Sequence, residues 1–268
     1  MPATIPKPLE PILREFAAVA GHLWDLGWAE ASAGNISADV TSLLRFPPTR
    51  GRAGLALPAA LPAIAGRRFL VTATGSRFRD FRNTPEDKAC LVEISSEGDR
   101  ASWSSLAWNA RDIQPTSELP SHLEIHATLR SQGSDSRAIL HTHPTHLAAI
   151  SHLRRCADPD EFNRLLWTTH PEAKIFAPRG ATLVPYLLPG SDELGEATAR
   201  AVRNGADTVL WRYHGCIAHA PDASTALDRI HVLDKAARMA LLCLASGEEW
   251  EGLNQAELAT LFARFGTS

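Results

Sequence analysis

The sequence predicts a chain of the α/β or α+β class, folded as one domain over residues 1–268. Three observations carry this expectation. Strand-like and helix-like stretches are interspersed from one end to the other, rather than grouped into separate halves. The 268 residues are 44% hydrophobic and 21% charged, close to the globular average and enough for a self-sufficient core. No linker separates two cores, and there is no internal repeat or low-complexity tail.

Each element rests on a local pattern. Ile12, Phe16, Val19 and Leu23 recur at helical spacing and predict an amphipathic helix over 8–26, with Gly27 as its C-terminal cap. The small-residue stretch Ala31-Ser-Ala-Gly-Asn35 leads into Ile36-Ser37. Residues 47–66 are rich in Pro, Gly and Ala and read as a long irregular excursion. Arg68–Thr72 is a strand that runs into Thr74-Gly75-Ser76, and Cys90–Ile94 and Ser102–Trp108 are further strands. Pro120 suits a first helical position and opens a helix over 120–130. Ala138–His143 is a strand closed by Pro144, with a helix over 144–153. A strand over 182–187, a helix over 192–204 stopped by Gly205, and a strand over 208–213 follow. The chain then enters a helix over 223–245 with Leu227, Ile230, Ala237, Leu241 and Leu244 on one face.

Several function classes are disfavoured. A net charge of −3 argues against a dedicated nucleic-acid binder, which carries a basic excess. No apolar run approaches the length of a membrane span. The opening MPATIPKPLEPILREF has no apolar leader segment, so the cytoplasm is the expected location. Cys90, Cys156, Cys216 and Cys243 are too widely spaced to suggest a disulfide framework and read as buried small hydrophobes.

The unusual quantity is eleven histidines, six of them between His122 and His152. His141 and His143 sit two apart on a predicted strand, and positions i and i+2 of a strand share a face. Two imidazoles on one face can chelate one metal ion. A catalytic zinc commonly takes three protein ligands and leaves one position open. The best third ligand is His214, which ends the strand over 208–213 and precedes Gly215. A His-x-His pair alone is weak evidence, because most histidines are ordinary core or surface residues. His170, beside Glu172 in a polar loop, is a weak fourth candidate. His146 and His152 read as packing or surface residues, and His22, His122, His126, His219 and His231 show no partner pattern.

Glu118 lies at the mouth of the helix over 120–130, where the helix N-terminus favours a negative charge. It is either a simple helix-end charge or a general base beside a metal-polarised substrate. Gly34-Asn35, Thr74-Gly75-Ser76 and Thr116-Ser117 place donor-rich turns at three junctions and could hold an anion if they meet in space. Singly, each is an ordinary turn. No nucleotide-binding glycine loop is present.

Taken in order, Gly-Asn-Ile-Ser (34–37), Thr-Gly-Ser (74–76), Pro-Thr-Ser-Glu-Leu-Pro (115–120), His-Thr-His-Pro-Thr (141–145) and Tyr-His-Gly (213–215) resemble the class II, zinc-dependent sugar-phosphate aldolases of the aldolase/adducin family. The resemblance runs from about residue 10 to 245. Gly27-Trp28, Leu188-Pro-Gly-Ser-Asp-Glu193 and Val209-Leu-Trp-Arg-Tyr-His214 bring it nearest to the members acting on L-rhamnulose 1-phosphate. It implies a three-layer α/β/α fold with a mixed, largely antiparallel central sheet. It implies Zn2+ on His141, His143 and His214, and Glu118 as catalytic acid/base. It implies a phosphate held by Gly34, Asn35, Thr74, Gly75, Thr116 and Ser117. Glu172 matches a glutamate contributed by a neighbouring subunit of a homotetramer with sites between subunits. The implied reaction is reversible cleavage of L-rhamnulose 1-phosphate to dihydroxyacetone phosphate and L-lactaldehyde. Ser32 and Ala33 stand where that group has an asparagine- and glycine-rich loop. The alternatives are a same-fold enzyme (fuculose-phosphate aldolase, pentulose-phosphate 4-epimerase or methylthioribulose-phosphate dehydratase), a non-catalytic adducin-like interaction module and a zinc hydrolase. An interaction module has no need of the metal ligands and Glu118, and a zinc hydrolase no need of the phosphate turns.

Overall fold

A computed structural model describes residues 6–44, 54–106 and 113–265. In chain order it contains α1 (Glu10–Asp25), β1 (Asn35–Asp39), β2 (Leu55–Ala56), β3 (Arg68–Thr72), α2 (Phe78–Phe81), β4 (Ala89–Ile94), β5 (Arg100–Ser105) and α3 (Leu119–Ser131). There follow β6 (Ala138–Thr142), α4 (Thr145–Ile150), α5 (Pro159–Thr169), α6 (Pro171–Phe176) and β7 (Thr182–Val184). The chain closes with α7 (Asp192–Arg203), β8 (Thr208–Trp211), β9 (Gly215–Ala220), α8 (Ala223–Ser246) and α9 (Gln255–Phe265).

The strands form one sheet in the order β2-β5-β4-β3-β1-β6-β9-β8-β7. Every pairing is antiparallel except β7 with β8, so the sheet is mixed and largely antiparallel. Alternation sorts the strand side chains onto two covered faces. Ile36, Ala38, Leu70, Leu140 and Ala218 pack with α1, α4, α5, α6 and α8. Phe69, Val71, Val92, Ile139, Val209 and Ile217 face the other way, against α3 and α7. The result is three layers, helices–sheet–helices, as the family resemblance implies. Ser37 and His141 share a face with Ile139, because the β1–β6 register sets Ser37 opposite Ile139 and Asn35 opposite His141. That face is the one covered by α3.

The helix signals held. α1 buries Leu13, Phe16, Val19 and Leu23, and Gly27 follows at φ +73°. α7 and α8 start on Ser191 and Asp222, whose side chains accept the backbone N–H groups of Leu194 and Thr225. The free cysteines are buried except Cys243, which is half-buried. Among the described residues no helix is long and apolar enough to cross a membrane.

Five readings need correction. The expected strand over 138–143 ends at Thr142, and that over 182–187 at Val184. The strand over 208–213 ends at Trp211, and Gly215 opens β9, a buried central strand the pattern did not reveal. Residues 55–56 of the irregular excursion form a short edge strand; its residues 47–53, and residues 107–108 of the strand over 102–108, lie outside the described residues. The polar loop around His170 shrinks to that one extended residue between α5 and α6, and Glu172 lies in the first turn of α6.

Candidate active site

Three histidines converge at the C-terminal end of β6 and the β8–β9 turn. The ring centroids of His141, His143 and His214 are 5.1, 5.1 and 5.0 Å apart, a nearly equilateral triangle. One nitrogen from each lies within 4.8 Å of the other two. His141 is the last inward residue of β6. His143 lies one step past the strand, so strand alternation alone does not place it. Its backbone N–H donates to the Trp28 carbonyl and fixes the chain there. His214 stands in the three-residue turn between β8 and β9, where Tyr213 takes the left-handed conformation at φ 67°. Gly215 closes that turn against the two other histidines. A Cβ there would lie 2.7 Å from His143 Cδ2, 2.7 Å from the Thr142 carbonyl oxygen and 2.9 Å from His141 Cε1.

The hydrogen bonds assign free nitrogens. His141 Nδ1 donates to the Cys216 carbonyl at 3.0 Å, which leaves the lone pair on Nε2. His143 Nδ1 donates to Glu30 Oε1 at 2.7 Å, which again frees Nε2. Nδ1 of His214 is buried without a hydrogen-bond partner. Burial, then the neighbouring imidazoles, push His141 well below the ordinary histidine range, and burial followed by His143 lowers His214. Neutral imidazoles with free lone pairs are what a metal ion requires. The residues present therefore fit a divalent metal: three histidines each offer a nitrogen, and one nitrogen of His214 is buried with no other partner. Burial raises Glu30, but its hydrogen bond with His143 and the nearby histidines outweigh this and hold its carboxyl below the usual range. Sequence reading missed Glu30; nothing in its spacing marks it.

Glu118 is the residue before α3 and is buried. Its Oε2 lies 3.6 Å from His141 Nε2 and accepts from Asn35 Nδ2 at 2.8 Å. The donor-rich turns meet at this end of the sheet. Thr116 N donates to the Thr72 carbonyl, Thr74 N to the Gln114 carbonyl, and Thr72 Oγ1 accepts from Ile36 N. Thus Gly34-Asn35, Thr74-Gly75 and Thr116-Ser117 lie on adjoining strands and their extensions, beside Glu118. Gly34 takes φ +84°, and a Cβ there would press on Phe78 at 3.1 Å and on the His141 carbonyl at 3.2 Å. Glu172 is exposed on α6 and is the charge beside His170; its described contacts do not reach the histidines. His170 is likewise apart from them.

Two histidines without a sequence rationale also belong here. His122 and His126, one turn apart on α3, are fully buried and bonded to Ser37 and Asn35. Their i, i+4 spacing on a helix was the available signal.

The family model for the class II aldolase and adducin N-terminal domain matches residues 14–241. A rhamnulose-1-phosphate aldolase of Bacteroides thetaiotaomicron is 36% identical over 94% of this chain and 93% of its own length. That of Listeria welshimeri is 33% identical, covering 95% and 92%. A sugar-phosphate aldolase structure from Thermotoga maritima superposes with a TM-score of 0.75 at 34% identity, covering 90% of this chain and 98% of that one. An L-fuculose 1-phosphate aldolase superposes at 0.61 with 17% identity, which shows the shared fold. On the sequence match and the fold together, the chain belongs to the class II aldolase and adducin N-terminal domain family.

Proposed function

We propose that the chain is a zinc-dependent aldolase that cleaves L-rhamnulose 1-phosphate reversibly to dihydroxyacetone phosphate and L-lactaldehyde. The relatives named above support the substrate. The observation that carries the chemistry is the buried Glu118 carboxylate held 3.6 Å from the free nitrogen of His141, at the edge of a three-histidine donor set. His141, His143 and His214 would hold the metal ion. When bound, the ion supplies Lewis-acid stabilisation of the charge that develops on the ketose oxygens.

The rest falls to this chain's own side chains. Gly34, Asn35, Thr74, Gly75, Thr116 and Ser117 bind the phosphate and so fix the reacting carbons against Glu118. As the C3–C4 bond breaks, its electron pair stays with the phosphorylated fragment; Glu118, having taken up a proton from water, delivers it to C3 and returns to the carboxylate. The C4 hydroxyl becomes the aldehyde and must lose its proton, a task assigned to Glu172 of a neighbouring subunit. In this reading residues 1–268 act as one domain in a cytoplasmic homotetramer, and the exposed Glu172 of one copy serves the site of another.

A panel of ketose 1-phosphates, including L-rhamnulose and L-fuculose 1-phosphate, assayed for dihydroxyacetone phosphate release, tests this reading. The rhamnulose ester is the expected best substrate by kcat/KM. A preference for L-fuculose 1-phosphate overturns the assignment, and no release from any of them overturns the aldolase reading. Activity that persists in a dissociated monomer excludes Glu172 acting from a neighbour.

A further inference from the structure

Behind Glu118 runs an unbroken row of buried polar groups, of which His122, Ser37 and His126 have no part in the proposed reaction. Asn35 Nδ2 donates to Glu118 Oε2 at 2.8 Å. Asn35 Oδ1 meets His122 Nε2 at 2.5 Å. His122 Nδ1 meets Ser37 Oγ at 2.7 Å, and Ser37 Oγ meets His126 Nε2 at 2.9 Å. The row ends at His126 Nδ1, a buried nitrogen without a partner. Phe69 stacks on His126 with ring centroids 4.5 Å apart, and Leu123, Ala127 and Val71 form the apolar layer around it.

One direction of donation satisfies every link. Burial pushes His122 down to about 4 and holds His126 well below the ordinary histidine range, so each ring is neutral and carries one N–H. A carboxylate only accepts, so the Asn35 amide must turn its NH2 toward Glu118 and its carbonyl toward His122. His122 then carries its hydrogen on Nε2 and accepts from the Ser37 hydroxyl on Nδ1. Ser37, having donated, accepts from His126 Nε2–H. The opposite tautomer of His122 would draw the Asn35 NH2 to itself and set the amide oxygen against the Glu118 carboxylate.

Packing does not explain the row. Four polar side chains in an apolar layer pay desolvation, and one nitrogen of the set stays unsatisfied. Apolar side chains of similar volume would serve the core at least as well. We propose that His122, Ser37 and His126 are positioning residues that lock the Asn35 amide in one orientation and through it aim the Glu118 carboxylate at the histidine centre. The second N–H of the same amide is thereby presented to the adjoining turns. This rests on the aldolase reading for its kinetic consequence, and on geometry alone for the hydrogen positions.

Two measurements on the full-length, metal-loaded protein test it. Solid-state 15N spectra of histidine-labelled protein report tautomers, and the His122 resonances are assigned by difference against His122→Gln. The Nε2–H tautomer is expected for His122, and the Nδ1–H tautomer overturns the proposal. For kinetics, His122→Leu and Ser37→Ala should each lower kcat by roughly tenfold or more, the worth of one buried hydrogen bond to a charged group. KM and metal content should change little. His122→Gln, whose amide nitrogen can occupy the Nε2 position, should recover most of the loss, which a merely structural role would not produce. If His122→Gln is as slow as His122→Leu, or Ser37→Ala as fast as the parent, the positioning role is wrong. If the parent cleaves no ketose phosphate, the aldolase reading fails by itself, and the tautomer measurement still decides the row.

Discussion

Gly215→Ala is the smallest change that should disturb the histidine centre. Its effect can be worked from three distances. The added methyl would stand 2.7 Å from the Thr142 carbonyl oxygen and from His143 Cδ2, and 2.9 Å from His141 Cε1. Ordinary contact begins near 3.4 Å, so the methyl overlaps a backbone atom and two ring atoms by about 0.5–0.7 Å each. Neither side can yield freely. Gly215 pairs with Trp211, and Thr142 with Cys216, so the strands on both sides are held by the sheet. The His141 ring is pinned to the Cys216 carbonyl and the His143 ring to Glu30. Overpacking at such a site costs about 1–3 kcal/mol, which lowers Tm by several degrees in a chain of this size. Displacing two of three ligands should weaken metal binding by roughly 10–100-fold, the range seen when the groups that orient ligands are removed. Differential scanning calorimetry of the metal-free protein and a competition titration against a chromophoric chelator measure the two effects separately. A variant with parental Tm and parental metal affinity would refute the steric reasoning.

Three further outcomes follow from the site. Glu118→Gln should retain the metal and lose roughly 10²–10⁴ in kcat, the usual worth of a general acid–base group; metal analysis with steady-state kinetics checks both halves. Glu30→Ala removes the partner of His143 Nδ1 and should weaken metal binding about tenfold, near the low end because Glu30 is largely exposed to water; the chelator titration reads it. The stability of the metal-free protein should fall with pH. His122 is lowered from 6.5 to about 4 by burial, so below pH 6.5 the unfolded chain takes up a proton that the native chain refuses. Its contribution is absent above pH 6.5 and grows to on the order of 3 kcal/mol of destabilisation as pH falls to 4. Urea unfolding between pH 7 and 4.5 measures it, and a flat profile would contradict the burial of a neutral ring.

Much of the site was legible because local chemistry marks it. Glu118 lies where the sequence set it, immediately before α3. His141 lies on the expected strand, and His214 beside the expected break at Gly215. The geometry holding them was less legible. His143 seemed to be placed by alternation, yet it lies past β6 and is positioned by Trp28 and Glu30, more than a hundred residues upstream. β9 escaped notice because it is buried on both faces and shows no polar alternation. α5 had its start written in Asp158-Pro159, a capping side chain followed by proline at the first turn, and was passed over. His122 and His126 were unreadable for another reason: their partners, Asn35 and Ser37, come from a strand more than eighty residues away. Spacing reveals a helix face, not what the fold lays against it.

The β6–β9 pairing bears on the order in which the molecule comes into being. Asn35 meets Glu118 across 83 positions, and Thr142 Oγ1 donates to the Trp28 carbonyl across 114. Contacts of such span close late, after the chain entropy of long loops has been overcome. A chain still leaving the ribosome offers at most a bare His-x-His. The third imidazole arrives only when the hairpin of β8 and β9 docks on β6. The three-nitrogen donor set therefore exists only where β6 and β9 are paired, and no shorter stretch of the chain holds it ready-made.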